Sequence, residues 1–210
     1  SYSPNGIIGE KDACGVGFVA NVEGIESNWI LKQSLKGLNC MEHRGGCGGD
    51  SDSGDGAGIL CSIPWGYLDE ELNLTNKQKL DRGLGMVFMP NKKEKIEECK
   101  SICEEEAEKL SVKETSWRKV PVNNEILGPL AKANVPYICQ WILYIDTKDN
   151  QNIERLLFQL RKRIEKKIRE TFKNDVGDCE FYFASLSSQT VVYKGMVRSE
   201  ILSEFYQDLK

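Results

Sequence analysis

The chain has 210 residues, 29% of them charged, with a formal net charge of −4 at pH 7 and a calculated pI near 5.3. This length is typical of one domain, or of a domain plus a tail, and a chain of this size can bury roughly 70% of its unfolded surface. The acidic charge argues against a nucleic-acid-binding surface, and without a run of about 18 apolar residues the sequence predicts no membrane span. Because the chain begins at Ser1 rather than Met, we expect it to be a piece of a longer protein.

Eight cysteines are spread along the sequence. In a short secreted chain such a number would indicate a disulfide framework, but this chain is longer, highly charged and without a recognisable signal peptide. We therefore expect reduced thiols and an intracellular location.

Residues 1–13 are mostly polar and predict an irregular leader. The next stretch, residues 12–20, has Cys14 at its centre, and Val16 and Phe18 share a face with that thiol because side chains alternate along a strand. The pattern predicts a core strand beginning near Ala13. Taken alone, it fits a reactive thiol and a small-residue strand with a buried thiol equally well.

A helix is predicted over residues 27–41, where three leucines fall on one stripe. Ser27 or Asn28 could cap its start, and the glycines at positions 45 and 46 would stop it. His43 and Arg44 then emerge where the helix ends. The apolar stripe consists of Leu31, Leu35 and Leu38.

The glycine-rich loop at residues 45–58 carries Asp50, Asp52 and Asp55. It lacks the Gly-Lys-Ser/Thr ending of a phosphate-binding P-loop, and it lacks the glycine and glutamate that an EF-hand calcium loop requires. A close passage of the loop under another segment is the favoured interpretation. It leads into a predicted buried strand at residues 57–63.

Further along the chain, strands and helices follow one another in an order that favours antiparallel sheets layered with helices. The strands 180–186 and 190–193 are expected to form a hairpin through a tight turn at residues 187–189. The last residues are expected to be helical at first. The other predicted elements are a strand at 84–89, a helix at 96–110, a strand at 135–145, an amphipathic helix at 153–168 and the helical start of 197–210.

A cysteine nucleophile at position 14 needs a proton acceptor. His43 is the only histidine, but its place beside Arg44 at a helix C-terminus is explained by the helix dipole. An N-terminal amine, with an ordinary pKa of about 7.7–8.0, would serve as a general base near neutral pH. The nitrogen of Cys14 is still an amide here, so cleavage after Ala13 would create the amine and uncover the thiol together.

Other motifs favour structural roles. Cys99 and Cys103 lie four residues apart on the apolar stripe of a helix, without a histidine or Cys-x-x-Cys partner, and are interpreted as core thiols rather than metal ligands. Cys47, in the glycine-rich loop, is the only other candidate for a reactive thiol. The basic run at residues 161–167 is interpreted as the solvated face of a helix.

Three blocks at the start of the chain resemble class II glutamine amidotransferase domains, specifically that of glutamate synthase. They are Cys14-Gly-Val-Gly-Phe, Met41-Glu-His-Arg-Gly-Gly and Gly54-Asp-Gly-Ala-Gly-Ile-Leu. Later blocks that begin at Trp117, Leu127, Pro136 and Ser185 strengthen the match to glutamate synthase, which extends from Cys14 to about Leu209.

This resemblance implies the α+β fold of the N-terminal-nucleophile (Ntn) hydrolases, an αββα four-layer sandwich with two antiparallel sheets between helical layers. It implies that residues 1–13 are a propeptide. Residues 14–210 would be the N-terminal part of the amidotransferase domain, C-terminally truncated, with the remainder beyond Lys210.

The resemblance also implies a mechanism. Cys14, with its own α-amine as base, would attack the glutamine side-chain amide, release ammonia and leave a γ-glutamyl thioester that water hydrolyses. Arg44 matches the family's arginine beside the nucleophile and would organise the active site. The ammonia would pass through a tunnel to 2-oxoglutarate for reductive glutamate synthesis.

The parent enzyme implied by the resemblance uses FMN and an iron–sulfur cluster, with none of these cofactors and no metal in this domain. Its electrons would come from NADH, NADPH or ferredoxin. Its partners would be glutamine, the rest of the glutamate synthase chain and either a small subunit or ferredoxin, without nucleic acid or membrane. The location would be the cytoplasm or a plastid.

The sequence departs from the family in two ways. The blocks that supply the substrate-binding arginine, the Asn-Gly oxyanion hole and the aspartate that holds the glutamine amino group are not found, and the leader is retained. Because an oxyanion hole alone contributes about 10²–10³ in rate, we expect the chain by itself to be a poor glutaminase. The alternatives are another class II amidotransferase and a non-catalytic, thiol-rich binding domain.

Overall fold

A computed structural model describes residues 15–41, 54, 56–73, 81–110, 112–145, 152–173 and 180–210. Helices and strands alternate irregularly through these residues. The helices are α1 Asn28–Cys40, α2 Trp65–Leu72, α3 Lys93–Glu108, α4 Pro129–Ala133, α5 Ile153–Thr171 and α6 Leu202–Phe205. The strands are β1 Ala57–Ser62, β2 Asp81–Met89, β3 Val112–Lys119, β4 Tyr137–Ile145, β5 Tyr182–Ser187 and β6 Thr190–Gly195. Short 3₁₀ helices span Asn124–Ile126, Ser199–Ile201 and Gln207–Leu209.

The described strands form two antiparallel sheets. One has the order β3-β4-β2-β5, and the other consists of β1 and β6. Helices pack against both sheets, which confirms the predicted α+β class with two antiparallel sheets between helices.

Strand β4 is apolar on both faces because each face packs against other elements. Its alternate residues Trp141 and Leu143 pack in a cluster with α3 and α5, whereas Ile142 and Tyr144 pack in a second cluster with β6 and the chain's last helices. A strand that is covered on both faces carries a continuous apolar run instead of an alternating one. The β4 run therefore marks the middle of the molecule.

Helices α3 and α5 cover the outer face of the four-stranded sheet. The predicted apolar stripe of α5 is buried from Leu156 to Ile168, and Ile153 is partly buried. Asn152 is the N-cap of this helix, and its side chain accepts a hydrogen bond from the Arg155 amide. The two helices are joined by Glu106, which binds Arg163 at 2.8 Å and Lys109 at 2.6 Å. These two cations hold the pKa of Glu106 below its ordinary value.

Helix α1 lies on the opposite side of the molecule, in contact with β1. The helix is one residue shorter at each end than the predicted range 27–41. Ser27 is the N-cap residue, but its side chain makes no capping hydrogen bond, and Met41 is the C-cap residue. Leu35 is buried, and Leu31 and Leu38 pack against the same cluster. With α3 and α5 outside the larger sheet and α1 beside the smaller one, the described elements form the helix–sheet–sheet–helix order that was expected.

Two predicted strands differ from the structure. Residues 15–20 are not in a strand, and Val16 and Phe18 are 89% and 94% exposed, so the prediction of a core strand is wrong for this stretch. No described strand pairs with these residues, so their alternate side chains are not buried against a sheet. The strand at 57–63 is present as β1, but it is not buried as predicted, because Leu60 is 63% exposed.

The predicted hairpin between β5 and β6 is also wrong. Both strands exist, but β5 pairs with β2 in the larger sheet and β6 pairs with β1 in the smaller one. The chain therefore crosses from one sheet to the other at Ser188 and Gln189. Glu154 at the start of α5 fixes this crossing, because its Oε1 accepts hydrogen bonds from the Ser187 hydroxyl at 3.0 Å and from the Ser188 amide and hydroxyl at 2.6 and 2.7 Å.

Candidate functional site

The two residues that the sequence assigns to catalysis, Cys14 and Arg44, lie outside the described residues. His43, Cys47 and the aspartates of the glycine-rich loop do so as well. The structure describes residues 15–41, which run from the position after Cys14 to the C-cap of α1. The candidate site consists of the described residues around that segment.

A cavity of about 680 Å³ borders the segment that follows Cys14. Its lining includes residues 19–21, the first turns of α1, residues 59–62 of β1 and the last four residues, 207–210. This volume lies in the range of small-molecule sites, which are mostly apolar with a few polar groups. We refer to it below as the cavity.

Three polar side chains of the cavity lining belong to one hydrogen-bond network: Tyr67, Tyr193 and Asp208. Asp208 is its centre, and its side chain is 1% exposed. Its carboxylate accepts two hydrogen bonds from Arg118, both at 2.8 Å, one from the Tyr67 hydroxyl at 3.3 Å and one from the Tyr193 hydroxyl at 3.2 Å. The carboxylate thus accepts four hydrogen bonds from three side chains.

Arg118 compensates the buried charge of Asp208. Its side chain is 4% exposed, and it also donates to Glu71 of α2 at 2.5 Å and to Gln140 of β4 at 2.9 Å. Burial alone would lower the pKa of Arg118, but the hydrogen bonds that it donates to Asp208 and Glu71 outweigh burial and raise that pKa above its ordinary value. Arg118 therefore remains a cation throughout the usual pH range.

Gln140 extends the network to the smaller sheet. Its Nε2 donates to the Tyr193 hydroxyl at 3.0 Å, so that β4 of one sheet is bonded to β6 of the other. Burial, followed by the nearby Asp208 charge, raises the pKa of Tyr193. The phenol therefore stays neutral and can donate to Asp208. We refer to Tyr67, Glu71, Arg118, Gln140, Tyr193 and Asp208 as the Arg118 network.

The chemistry of this network is positional rather than catalytic. Both oxygens of the Asp208 carboxylate are engaged by four hydrogen bonds from neighbouring side chains, two of them from the Arg118 guanidinium. The network instead bonds both sheets, α2 and the last residues of the chain into one unit. Charge-assisted, two-bond arginine–carboxylate pairs are well suited to such fixed geometry.

Sequence reasoning did not find this network, although a signal was present. Gln140 is the one side-chain amide or charged group within the apolar strand Tyr137–Ile145, and a buried polar side chain requires a buried partner. Arg118 likewise lies beside Trp117 on a strand that packs on β4. What the sequence could not supply was the pairing of these residues with Asp208, which is 90 positions away from Arg118.

The described thiols fall into two groups. Cys99, Cys103 and Cys139 are buried, which confirms the interpretation of the first two as core thiols, and burial raises the pKa of Cys139 to about 12. Cys40 is exposed, and Cys61 is half-buried on β1, where burial raises its pKa to about 11. A thiol with so high a pKa carries little thiolate at neutral pH, so Cys61 and Cys139 are poor nucleophiles.

Among the described residues, no three histidine, cysteine, aspartate or glutamate side chains gather in a group that could hold a metal ion. Nor is any described helix both long and apolar enough to cross a lipid bilayer.

Comparison with known proteins gives a family. The class-II glutamine amidotransferases match the chain over residues 14–210. Among curated proteins, the ferredoxin-dependent glutamate synthase 1 (chloroplastic/mitochondrial) of Arabidopsis thaliana is 44% identical over 208 residues, which is 97% of this chain. The chloroplastic ferredoxin-dependent glutamate synthase of Oryza sativa subsp. japonica and the ferredoxin-dependent glutamate synthase 2 of Synechocystis sp. are each 44% identical over 210 residues, covering 98% and 97% of this chain.

These relatives are much longer than the chain. The aligned region is 13% of the length of each of these three proteins. The similarity therefore concerns one part of a large protein, and that part is the amidotransferase region by the family match.

Proposed function

The chain belongs to the class II glutamine amidotransferases, and from this membership we propose that it supplies the glutaminase step of a glutamate synthase. The observation that carries the proposal is that the family match begins at Cys14, the residue that the sequence singles out as a nucleophile. The reaction would convert glutamine to glutamate and ammonia.

We propose that removal of residues 1–13 activates the site. Hydrolysis of the peptide bond after Ala13 gives Cys14 a free α-amine, which takes the thiol proton as the sulfur attacks the side-chain amide carbon of glutamine. The tetrahedral adduct expels ammonia, which carries away the proton, and leaves a γ-glutamyl thioester. Water then hydrolyses the thioester to glutamate and regenerates the thiol. Arg44 is proposed to organise the site beside the thiol.

The described residues are compatible with this assignment. Cys61, the one described thiol that lines the cavity, has a pKa raised to about 11, so it does not offer a competing nucleophile there at neutral pH. Residues 19–21, shortly after Cys14 in the sequence, border a space large enough for an amino acid.

We further propose that the parent protein is a ferredoxin-dependent glutamate synthase, located in a plastid or the cytoplasm. The identity of 44% to proteins of that name, over nearly the whole chain, supports ferredoxin rather than NADH or NADPH as the electron donor. Ammonia from the glutaminase step would be channelled to 2-oxoglutarate and the product reduced to glutamate.

FMN and an iron–sulfur cluster would act elsewhere in the parent protein. An iron–sulfur cluster needs several convergent cysteine thiolates, and the described cysteines do not form such a group. The described part of this chain therefore does not fit a cluster, and no step of the glutaminase reaction is assigned to it. Because the described cysteines form no group that could hold a metal ion, the described residues equally disfavour a thiol-rich metal-binding domain.

The test uses the parent protein in three forms: wild type, Cys14→Ser and, as a matched control, Cys40→Ser at an exposed thiol. Each is treated with the glutamine analogue 6-diazo-5-oxonorleucine and analysed by peptide mass spectrometry. We expect the wild type and the control to begin at Cys14 and to carry the adduct on that residue.

Glutamine hydrolysis should fall at least 10³-fold in Cys14→Ser and stay near the wild-type rate in Cys40→Ser. Synthesis from added ammonia should continue in all three. Full glutamine-dependent turnover with the leader still attached, or with serine at position 14, would refute the proposal.

A further inference from the structure

Buried ion pairs are seldom retained for stability alone. The free-energy cost of removing the charges of Arg118 and Asp208 from water offsets much of the gain from their attraction. Apolar replacements of similar volume are therefore often equally stable. The Arg118 Nε is buried and has no acceptor among the described residues, which adds to this cost. The pair therefore calls for a role that apolar side chains could not fill.

The Arg118 network holds the end of the chain in a defined path. Asp208 lies in the 3₁₀ helix Gln207–Leu209, and backbone hydrogen bonds join the same segment to the chain after β3, from the Gln207 amide to Pro121 and from the Asn123 amide to Phe205. The backbone bonds fix the segment at its start. Beyond Gln207, the two-bond pair of Asp208 with Arg118 fixes its direction.

The same segment borders the proposed active-site region. Residues 207–210 line the cavity together with residues 19–21, which follow Cys14 closely in the sequence. A change in the direction of residues 207–210 would therefore change the cavity that these residues line together with residues 19–21.

We propose that Arg118 is a positioning residue of the amidotransferase site. Through its pair with Asp208 it holds residues 207–210 as one wall of the cavity, and it thereby sets the surroundings of residues 19–21, which follow Cys14 in the sequence. This inference rests on the glutaminase function proposed above.

The test removes both charges so that neither is left buried and unpaired. The variant Arg118→Met with Asp208→Leu is made in the parent protein, with Glu106→Leu and Arg163→Met as the matched control, which removes the α3–α5 ion pair at 2.8 Å on the far side of the larger sheet. The melting temperature, amide hydrogen exchange of residues 202–210 and the kcat and KM for glutamine are measured. Arg118→Lys, which keeps the charge but not the parallel pair of bonds, is the conservative variant.

We expect the Arg118–Asp208 double variant to lower the melting temperature by about 5–10 °C, because the Gln140 side-chain oxygen and the Tyr193 hydroxyl lose their buried partners. Exchange at the amides of Leu209 and Lys210 should rise at least tenfold, and kcat/KM for glutamine should fall about tenfold through kcat, because small displacements near a reacting group lower the rate. Arg118→Lys should lie between this variant and the wild type. The control should change neither exchange at residues 207–210 nor kcat/KM.

Unchanged exchange at residues 207–210 in the double variant would overturn the proposal. So would a loss of kcat/KM that the control shares. If the wild-type parent released no ammonia from glutamine, the proposed function would fall, and amide exchange alone would then decide whether Arg118 holds this segment.

Discussion

Glu154 provides a sharp test of how the two sheets are connected. One carboxylate oxygen accepts three hydrogen bonds from Ser187 and Ser188, including one from a backbone amide that the crossing leaves without a strand partner. Hydrogen bonds to a charged group contribute about 1.5–3 kcal/mol when buried, and the half-buried position of Glu154 reduces their sum. We expect Glu154→Ala to lower the free energy of unfolding by about 2 kcal/mol.

Two further variants separate the hydrogen bonds from the charge. Glu154→Gln keeps an acceptor oxygen without the charge, and because charge-assisted bonds are about twice as strong as neutral ones, about 1 kcal/mol should be lost. Glu170→Ala removes a glutamate from the same helix that is 61% exposed and 3.9 Å from Lys166, so it should change stability by less than about 0.5 kcal/mol.

Urea unfolding followed by tryptophan fluorescence measures all three, with the midpoint as the readout and the slope as the check on two-state behaviour. For a chain of this size, the expected loss of about 2 kcal/mol in Glu154→Ala corresponds to a decrease in melting temperature of about 4–8 °C. If Glu154→Ala and Glu170→Ala unfolded at the same midpoint, the crossing would not depend on Glu154 and the reasoning would be refuted.

Three other predictions concern packing and ionisation. A Cβ at Gly58 would lie 2.8 Å from Lys194 Cβ, so Gly58→Ala should destabilise the fold by about 1–3 kcal/mol. Gly37 lies in α1 with open space around it, so Gly37→Ala should stabilise the fold by about 0.5–1 kcal/mol. Urea midpoints that shift in the same direction for both variants would contradict this prediction. Leu160, on the apolar face of α5, is fully buried, so Leu160→Ala should cost about 2–5 kcal/mol. A loss below about 1 kcal/mol in the same assay would contradict the described core. Because burial raises the pKa of Cys61 to about 11, its alkylation rate, followed by peptide mass spectrometry, should rise about tenfold per pH unit from pH 7 to 10, and a plateau near pH 8.5 would contradict that environment.

Local periodicity was enough to place most of the helices and the central strand. The apolar stripe of α5 reflects burial of one helix face, and the apolar run of β4 reflects burial of both strand faces. Both patterns can be recognised in the sequence without knowing which elements pack against them. Helix α1 was placed to within one residue at each end for the same reason.

Pairing between distant segments could not be predicted in this way. Strands β5 and β6 are joined by two residues, and a short connection of this kind normally indicates a hairpin. Here each strand finds its partner elsewhere, with Phe183 opposite Val87 and Val191 opposite Cys61. The choice depends on the packing of whole sheets and is absent from the local pattern.

The candidate site likewise has one part that the sequence indicated and one part that it did not. Cys14 was singled out by its sequence context and by the family resemblance, but its geometry and that of Arg44 lie outside the described residues, and their roles stay predictions. The Arg118 network was missed because its members are far apart in the sequence and become neighbours only when β3, β6 and the chain end are packed together.

The short crossing at Ser188 and Gln189 restricts how the sandwich can deform. The Ser187 hydroxyl accepts hydrogen bonds from the Gln189 amide at 3.0 Å and from the Thr190 amide at 3.2 Å. The crossing is therefore a closed turn, and it holds the two sheets together at this corner. Any separation of the two sheets must therefore be smallest at this corner and larger towards the outer edge of β1, the edge that does not pair with β6.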